Sequence, residues 1–463
     1  MITKENGTID ETVHIPQPDS EVLEQQPEAK RFKLLVGDKR LWIIVMLLMI
    51  ISALEVFSAS SRFFFGKENF INKDVILHFV FMLVGFIAMV IVHRIPCRFY
   101  KAFTYPFLAL SAVMLIILFA RGIGDADAQR WIEILGFNFQ PSELAKMAVL
   151  LYTASVASAI NKEDENSQKE GFWKILICMG FFCFLIVGEN LSTAFLLCVT
   201  VILMMLICGV SPKRTWKLIG AGAAFVAVVL AFFLLVPATK MNTLAEQNLV
   251  PGRATTWQAR VLDFFDEKQT AKEYALTTAK DKPQETHAKI AIATSGLVWG
   301  KGIGNSEERD YIQEATCDFI YAIIIEECGM LISIAVLGLY IWMMYICGTI
   351  ISKPITPFTS YLVVGIAILL GLQAMINMMV AVGAMPVTGQ PLPLISKGGT
   401  SMLFSSIYFG FLIGISRSIG QENKDELVEN VKATGKTFEN SEMSFQEENG
   451  NVIFSNIIEK TQK

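Results

Sequence analysis

"ATCDFIYAIIIEECGMLISIAVLGLYIWMMYICGT", residues 315–349, is the stretch on which the fold turns. From 317 to 349 it is apolar for longer than the roughly 20 residues a helix needs to cross a bilayer. Yet it carries Asp318, Glu326 and Glu327. A carboxylate in such a run is costly, so each needs a reason: a helix cap, a structural pair or a reaction. If the run spans a membrane, it should have companions, and it does. Nine further apolar runs lie at 41–62, 74–94, 101–120, 141–160, 172–188, 191–209, 216–236, 361–383 and 400–416. The 463 residues are 53% hydrophobic and 18% charged, with a mean hydropathy of +0.48. That is the balance of an integral membrane protein. The sequence predicts an all-α membrane protein of about ten transmembrane helices, with a large extracytoplasmic loop, 237–316, between the seventh and eighth.

Orientation follows from the cations. Lys30, Arg31, Lys33, Lys39 and Arg40 share one side with Arg94, Arg98, Lys101, Lys162, Lys169, Lys174, Lys213, Arg214, Lys217, Lys353 and Arg417. The opposite connections hold far fewer, so the positive-inside rule puts both termini in the cytoplasm. The organisation is a polar N-terminal tail (1–40), a polytopic membrane domain (41–417) and an acidic tail (418–463). The N-terminal tail lacks the apolar core of a cleaved signal, and the first span is expected to stay as an anchor. From 420 onward nine acidic and five basic residues account for the net charge of −4, and this tail reads as disordered. No basic run points to nucleic acid. The eight cysteines show no C-x-x-C spacing and read as small core residues.

Polar chemistry gathers in three outside clusters. In "DADAQRWIEILGFNFQPSELAK", Arg130 and Trp131 suit a headgroup interface. Ser142 is placed to cap the fourth helix, and Glu143 and Lys146 lie three apart on one face of it. They form either a structural ion pair facing the bundle or the lining of a polar cavity.

In "HAKIAIATSGLVWGKGIGNSEERDYIQEATCDFIYAIIIEE", glycines permit close turns and Asp318 opens the eighth segment. Asp318 reads as a helix N-cap, or else as a carboxylate held at the membrane boundary to accept a proton from a hydroxyl. Glu326 and Glu327 point to other faces and are expected to pair within the bundle. The third cluster, "GAMPVTGQPLPLISKGGTS", holds too much Pro and Gly for a helix. Such backbone is tolerated at membrane depth only when buried in protein or lining a wet cavity. Lys397, between Ser396 and Gly398, gives that place a cation, with a snorkelling lysine on a rigid connector as the plainer reading.

Taken together, "AQRWI", "FQPSELAK", "GKGIGNS", "DFIYAIIIEE" and "MPVTGQPLPLISKGGTS", in this order, resemble the signature stretches of the SEDS family (shape, elongation, division and sporulation), nearer its division branch than its elongation branch. The resemblance covers about 41–417 and implies a peptidoglycan glycosyltransferase that polymerises lipid II on the outer face of the cytoplasmic membrane. The family's essential aspartate, in "EAHTDFIF", matches Asp318, and the Trp of its "RRWI" matches Trp131. Three departures stand out: Thr316-Cys317 replace the family's His-Thr, Lys397 replaces the tyrosine of "ISYGGSS", and "ENLSTA" at 189–194 replaces "PDLGTA".

The resemblance implies that Asp318 deprotonates the acceptor sugar, with Arg130, Lys146, Arg260 and Lys397 as candidates to bind diphosphate and Trp131 beside the site. Glu143, Ser396 and Gly398 complete the candidate substrate-binding set. A divalent cation, Mg2+ or Mn2+, is a candidate for part of this work, although the sequence shows no dedicated metal cage. The implied partners are lipid II, a class B penicillin-binding protein and other divisome proteins. Two other classes stay open at this point: a transporter that flips lipid II, and a catalytically silent division scaffold.

Overall fold

The computed structural model describes residues 36–60, 73–122, 131–134, 137–237, 239–241, 254–265, 284–312, 314–353 and 356–419. The two expected tails fall almost wholly outside these residues, as do Arg130 and much of the 237–316 loop. The described residues form α1 (Lys39–Ser60), α2 (Lys73–Val92), a 3-10 turn (Cys97–Phe103) leading into α3 (Thr104–Gly122), a hairpin of β1 (Ile132–Ile134) and β2 (Phe137–Phe139), then α4 (Pro141–Ala159), α5 (Glu165–Val187), α6 (Leu191–Cys208) and α7 (Pro212–Leu235). Two shorter helices follow, α8 (Ala254–Phe265) and α9 (Gln284–Thr294), then α10 (Ile320–Cys328), α11 (Met330–Ile351) and α12 (Pro357–Ala381). Helix α13 (Gly399–Ile419) ends the described chain. The hairpin is antiparallel, with Ile132 opposite Phe139.

Among the described residues, nine of these helices are long and apolar enough to cross a membrane: α1, α2, α3, α5, α6, α7, α11, α12 and α13. The chain is an all-α multi-pass membrane protein. Large apolar side chains such as Ile43, Leu83, Ile177 and Phe225 stand exposed on these helices, as lipid-facing surfaces require. The helix predicted over 141–160 is present as α4, but it is not one of the nine. Glu143, Lys146 and a series of Ser, Thr and Ala lower its hydropathy. It has no need of an apolar exterior, because α3, α5, α6 and α12 pack around it and residues 141–151 are all buried. Polar side chains are tolerated in a membrane helix when they face the bundle interior. Ser142 does not cap this helix. Gln140 is the N-cap and Pro141 the first helical residue, which leaves Ser142 inside the first turn, its hydroxyl without a partner among the described residues.

The run that opened the sequence reading departs from expectation. Residues 317–349 are not one span but a turn, the short α10 and the full-length α11, parted at Gly329. The nine residues of α10 reach about 13 Å, far short of the ~30 Å hydrocarbon core. Gly329 has φ +90° and ψ 168°, a conformation that only glycine enters without strain. A break in a membrane helix must find partners for the backbone groups it frees. Here residues 296–302 run alongside it: Lys301 and Gly302 donate to the carbonyls of Glu326 and Glu327, and Met330 and Leu331 donate to those of Gly296 and Leu297. The approach is so close that a Cβ on Gly329 would lie 2.9 Å from the Gly300 nitrogen.

Candidate active site

The turn at 314–318 is built from its own backbone and from a distant segment. The Cys317, Asp318 and Phe319 amides donate to the Glu314 carbonyl. The N-cap of α10 is Phe319 with no side-chain cap, so Asp318 is not the helix cap that sequence alone allowed. Its side chain is half-buried. From the other side, Lys397 N donates to the Thr316 carbonyl at 2.8 Å. Ser396 Oγ donates to the Cys317 carbonyl at 2.7 Å, and Cys317 Sγ to the Lys397 carbonyl at 2.9 Å. Asn377 Nδ2 of α12 donates to the Asp318 carbonyl at 3.1 Å. Asp318 is thereby held through its main chain. Lys397, also half-buried, lies across the turn from it. Both charges act on Cys317, although burial does most to push that thiol up to about 12.

Residues 384–398 are the non-helical backbone that the prolines and glycines predict, and 392–396 are buried in protein. Four of its carbonyls find side chains on other elements. Gln373 and Asn377 of α12 donate to Pro391 and Gln390. Tyr340 of α11 donates to Pro393 at 2.6 Å, and Ser52 of α1 to Ile395 at 2.8 Å. Ser396 Oγ also accepts from Leu392 N at 2.7 Å, so this candidate substrate ligand braces the turn. Gly398 has Ser401 Cβ 3.2 Å from where its own Cβ would be.

Glu326 and Glu327 pair within the fold, as expected, and both are buried. Glu326 accepts from Lys301 Nζ at 2.8 Å, from Ser306 Oγ and from Glu307 N. Burial works against the Lys301 ammonium, but its bonds to Glu326 and Glu307 outweigh this and leave its pKa raised. Glu327 accepts from Ser58 Oγ of α1 at 2.6 Å and from Gly304 N and Ser306 N, with Arg309 3.7 Å away. The "GKGIGNS" stretch thus folds around two carboxylates. It supplies main-chain donors, as the close turns at Gly302 and Gly304, both at positive φ, allow.

In the first cluster, Lys146 Nζ lies 2.8 Å from Glu143 Oε1, both groups buried, and makes no hydrogen bond among the described residues. Trp131 stands 40% exposed where the chain enters β1, and at the end of β2 Phe139 meets Phe404 of α13 edge-on. Arg260 lies on α8 without a described side chain, and Arg130 lies outside the described residues. The structure therefore joins the second and third clusters directly. The residues that sequence reasoning missed are those that hold them: Asn377, which bonds to both, Gln373, Tyr340 and Ser52 at the third, and Ser58 and Arg309 at the second. Gln373 and Asn377 carried a usable signal, since two amides four residues apart in an apolar helix share one face and need partners.

Fold and site define a class: a multi-pass helical membrane protein whose broken helix and buried irregular segment together present one carboxylate. Comparison with known proteins narrows it. The family model of FtsW, RodA and SpoVE, described as "Cell cycle protein", matches residues 38–421. This chain belongs to that family. It is 30% identical over 356 residues to the "Probable peptidoglycan glycosyltransferase FtsW" of Taylorella equigenitalis, covering 76% of this chain and 88% of the relative. The protein of the same name from Geobacter sp. strain M18 is 27% identical over 375 residues, with 80% and 92% covered. The fold matches a chain from a structure described as "Structural coordination of polymerization and crosslinking by a peptidoglycan synthase complex", with TM-score 0.61, 21% identity, and 82% of this chain and 98% of that one covered. It also matches the Rod shape determining protein RodA of Thermus thermophilus, with TM-score 0.56, 19% identity, and 83% and 97% covered.

Proposed function

We propose that this chain is a peptidoglycan glycosyltransferase that polymerises lipid II into glycan strands at the outer face of the bacterial cytoplasmic membrane, with Asp318 as the general base. The observation that carries the assignment is the bracing of Asp318. Its main chain is gripped by Asn377, and its turn by Ser396 and Lys397, while its side chain is half-buried rather than sealed in the core. A base must be held in place and still be reachable.

The carboxylate removes the proton from the 4-hydroxyl of the acceptor's N-acetylglucosamine. The hydroxyl oxygen forms a bond to the anomeric carbon of the donor's N-acetylmuramic acid from the face opposite the leaving group. The anomeric carbon–oxygen bond to the lipid pyrophosphate breaks, its electron pair leaves with the pyrophosphate, and configuration inverts. Pyrophosphate departs without protonation, so one carboxylate suffices where hydrolytic glycosidases need two. Lys397, across the turn, supplies positive charge where the anion develops.

A divalent cation, Mg2+ or Mn2+, would be held mainly by the substrate pyrophosphate, since such an ion needs only one or two protein carboxylates. Among the described residues no three His, Cys, Asp or Glu side chains converge, and no step here runs through a metal. The implied partner is a class B penicillin-binding protein that cross-links the strands within a division complex, and the Lys and Arg distribution supports cytoplasmic termini.

The test is synthesis from lipid II by purified protein with its transpeptidase partner, read as glycan strands on a gel. Asp318→Asn should lower the rate by at least about a hundredfold without changing the thermal midpoint in detergent. A folded Asp318→Asn protein that polymerises normally would rule out the base assignment.

A further inference from the structure

The connection 92–104 and the first turn of α12, together with the ends of α4 and α13, line an open cavity of about 540 Å³. That volume lies within the range of about 300–1,000 Å³ typical of small-molecule sites. Thr356, on its wall, opens α12, and Asn377, which holds Asp318, is about 30 Å further along the same helix. The cavity therefore lies at the opposite end of α12 from the candidate active site, on the side rich in Lys and Arg.

Its lining includes Arg98 and Lys101 and no acidic residue. Three other cations at this end are neutralised: Arg40 by Asp38, Arg214 by Glu165 and Lys174 by Glu170. Among the described residues, Arg98 and Lys101 are in no ion pair. The first turn of α12 forms another wall with Thr356, Pro357, Phe358 and Thr359, and no side chain caps its amides. Ser158 and Ser418, whose hydroxyls donate to the Ser155 and Ile415 carbonyls, complete a lining that is otherwise largely apolar. Two cations in no ion pair among the described residues, an uncapped helix start and no competing carboxylate, around one open cleft, form a site for an anion.

We infer that this cavity binds a phosphate-bearing anion, and that its source is the headgroup of an anionic glycerophospholipid. The membrane side of the site argues for the lipid. The Arg98 guanidinium lies 4.9 Å over the ring of Phe99, and Phe99 and, in the first turn of α3, Tyr105 are exposed, as aromatic side chains at headgroup depth are. Basic pockets between membrane helices on the cytoplasmic side hold such headgroups.

The experiment uses the full chain in detergent. Native mass spectrometry counts retained phosphatidylglycerol against phosphatidylcholine, and calorimetry titrates inorganic pyrophosphate as the soluble alternative. Wild type should retain phosphatidylglycerol selectively. Arg98→Ala with Lys101→Ala should weaken it about 30-fold, while Arg98→Lys with Lys101→Arg should keep it within about threefold. If the alanine pair does not fold, Thr356→Glu serves instead. It places a carboxylate on the exposed rim beside the same amides and should also abolish selective retention. Equal retention of the two lipids, or phosphatidylglycerol binding unaffected by either the alanine pair or Thr356→Glu, would overturn the site. Pyrophosphate binding that depends on Arg98 and Lys101, with no lipid selectivity, would overturn the lipid as its source.

Discussion

Asn377 is the most informative single residue outside the candidate base. One amide nitrogen reaches two carbonyls, those of Asp318 and Gln390, and so links the turn before α10 to the irregular segment after α12. Asn377→Leu would leave both carbonyls bare in the interior, at about 1–3 kcal/mol each. We expect a lower melting temperature in detergent and slower glycan synthesis, with Asp318 still present but poorly held. Lys397 stands where the family resemblance puts a tyrosine. Lys397→Tyr should retain synthesis within about tenfold, a loss of no more than about 1.4 kcal/mol in the barrier. Complete inactivity would show that this chain depends on its own cation. Cys317, with its thiol pushed up to about 12 chiefly by burial, should resist a charged alkylating reagent at pH 8 in the folded protein. Mass spectrometry of the labelled peptides measures this, and ready labelling would mean that the turn opens.

At the scale of elements, the decisive feature is the break between α10 and α11. Gly329→Ala would force a side chain into a backbone region costing about 1–3 kcal/mol and into the Gly300 main chain besides. The expected result is a destabilised protein, with protease sensitivity appearing first in the 296–309 stretch that docks on the break. A melting curve unchanged by this substitution would contradict the close approach described here. The break was half-legible in sequence. The carboxylates marked 317–349 as unusual, but an unbroken hydropathy profile hid the boundary, because one glycine in an apolar run is common. Only the neighbouring strand of backbone, supplied by residues far back in the loop, shows why the helix stops there. Helix α4 gives the complementary lesson. Its extent was readable, and the Glu143–Lys146 pair followed from their spacing on one face, yet its interior position depends on which helices surround it.

At the scale of the whole described chain, Glu327 binds three regions at once: α1 through Ser58, the outer loop through Gly304 and Ser306, and Arg309 through charge. Glu327→Ala would remove an acceptor from a buried network and leave Arg309 poorly compensated, a loss of about 3–5 kcal/mol. Hydrogen exchange should then rise in 300–309 and at the end of α1, while α5 and α6 stay protected. A uniform change throughout would mean that the network is not local.

The sequence by itself determined the class. Hydropathy counts the membrane helices and cation placement predicts their sense, because each depends on local composition and on the cost of charge in hydrocarbon. It also marked Asp318, Lys397 and the proline-rich segment, because charge and helix breakers at membrane depth demand an explanation. What only the tertiary structure decided is which of these act together. Whether Asp318 caps a helix or stands before one, and whether Glu326 and Glu327 are reactive or structural, depends on donors that lie tens or hundreds of residues away along the chain. Long-range hydrogen bonding at a buried backbone leaves no periodic trace in the residues that receive it.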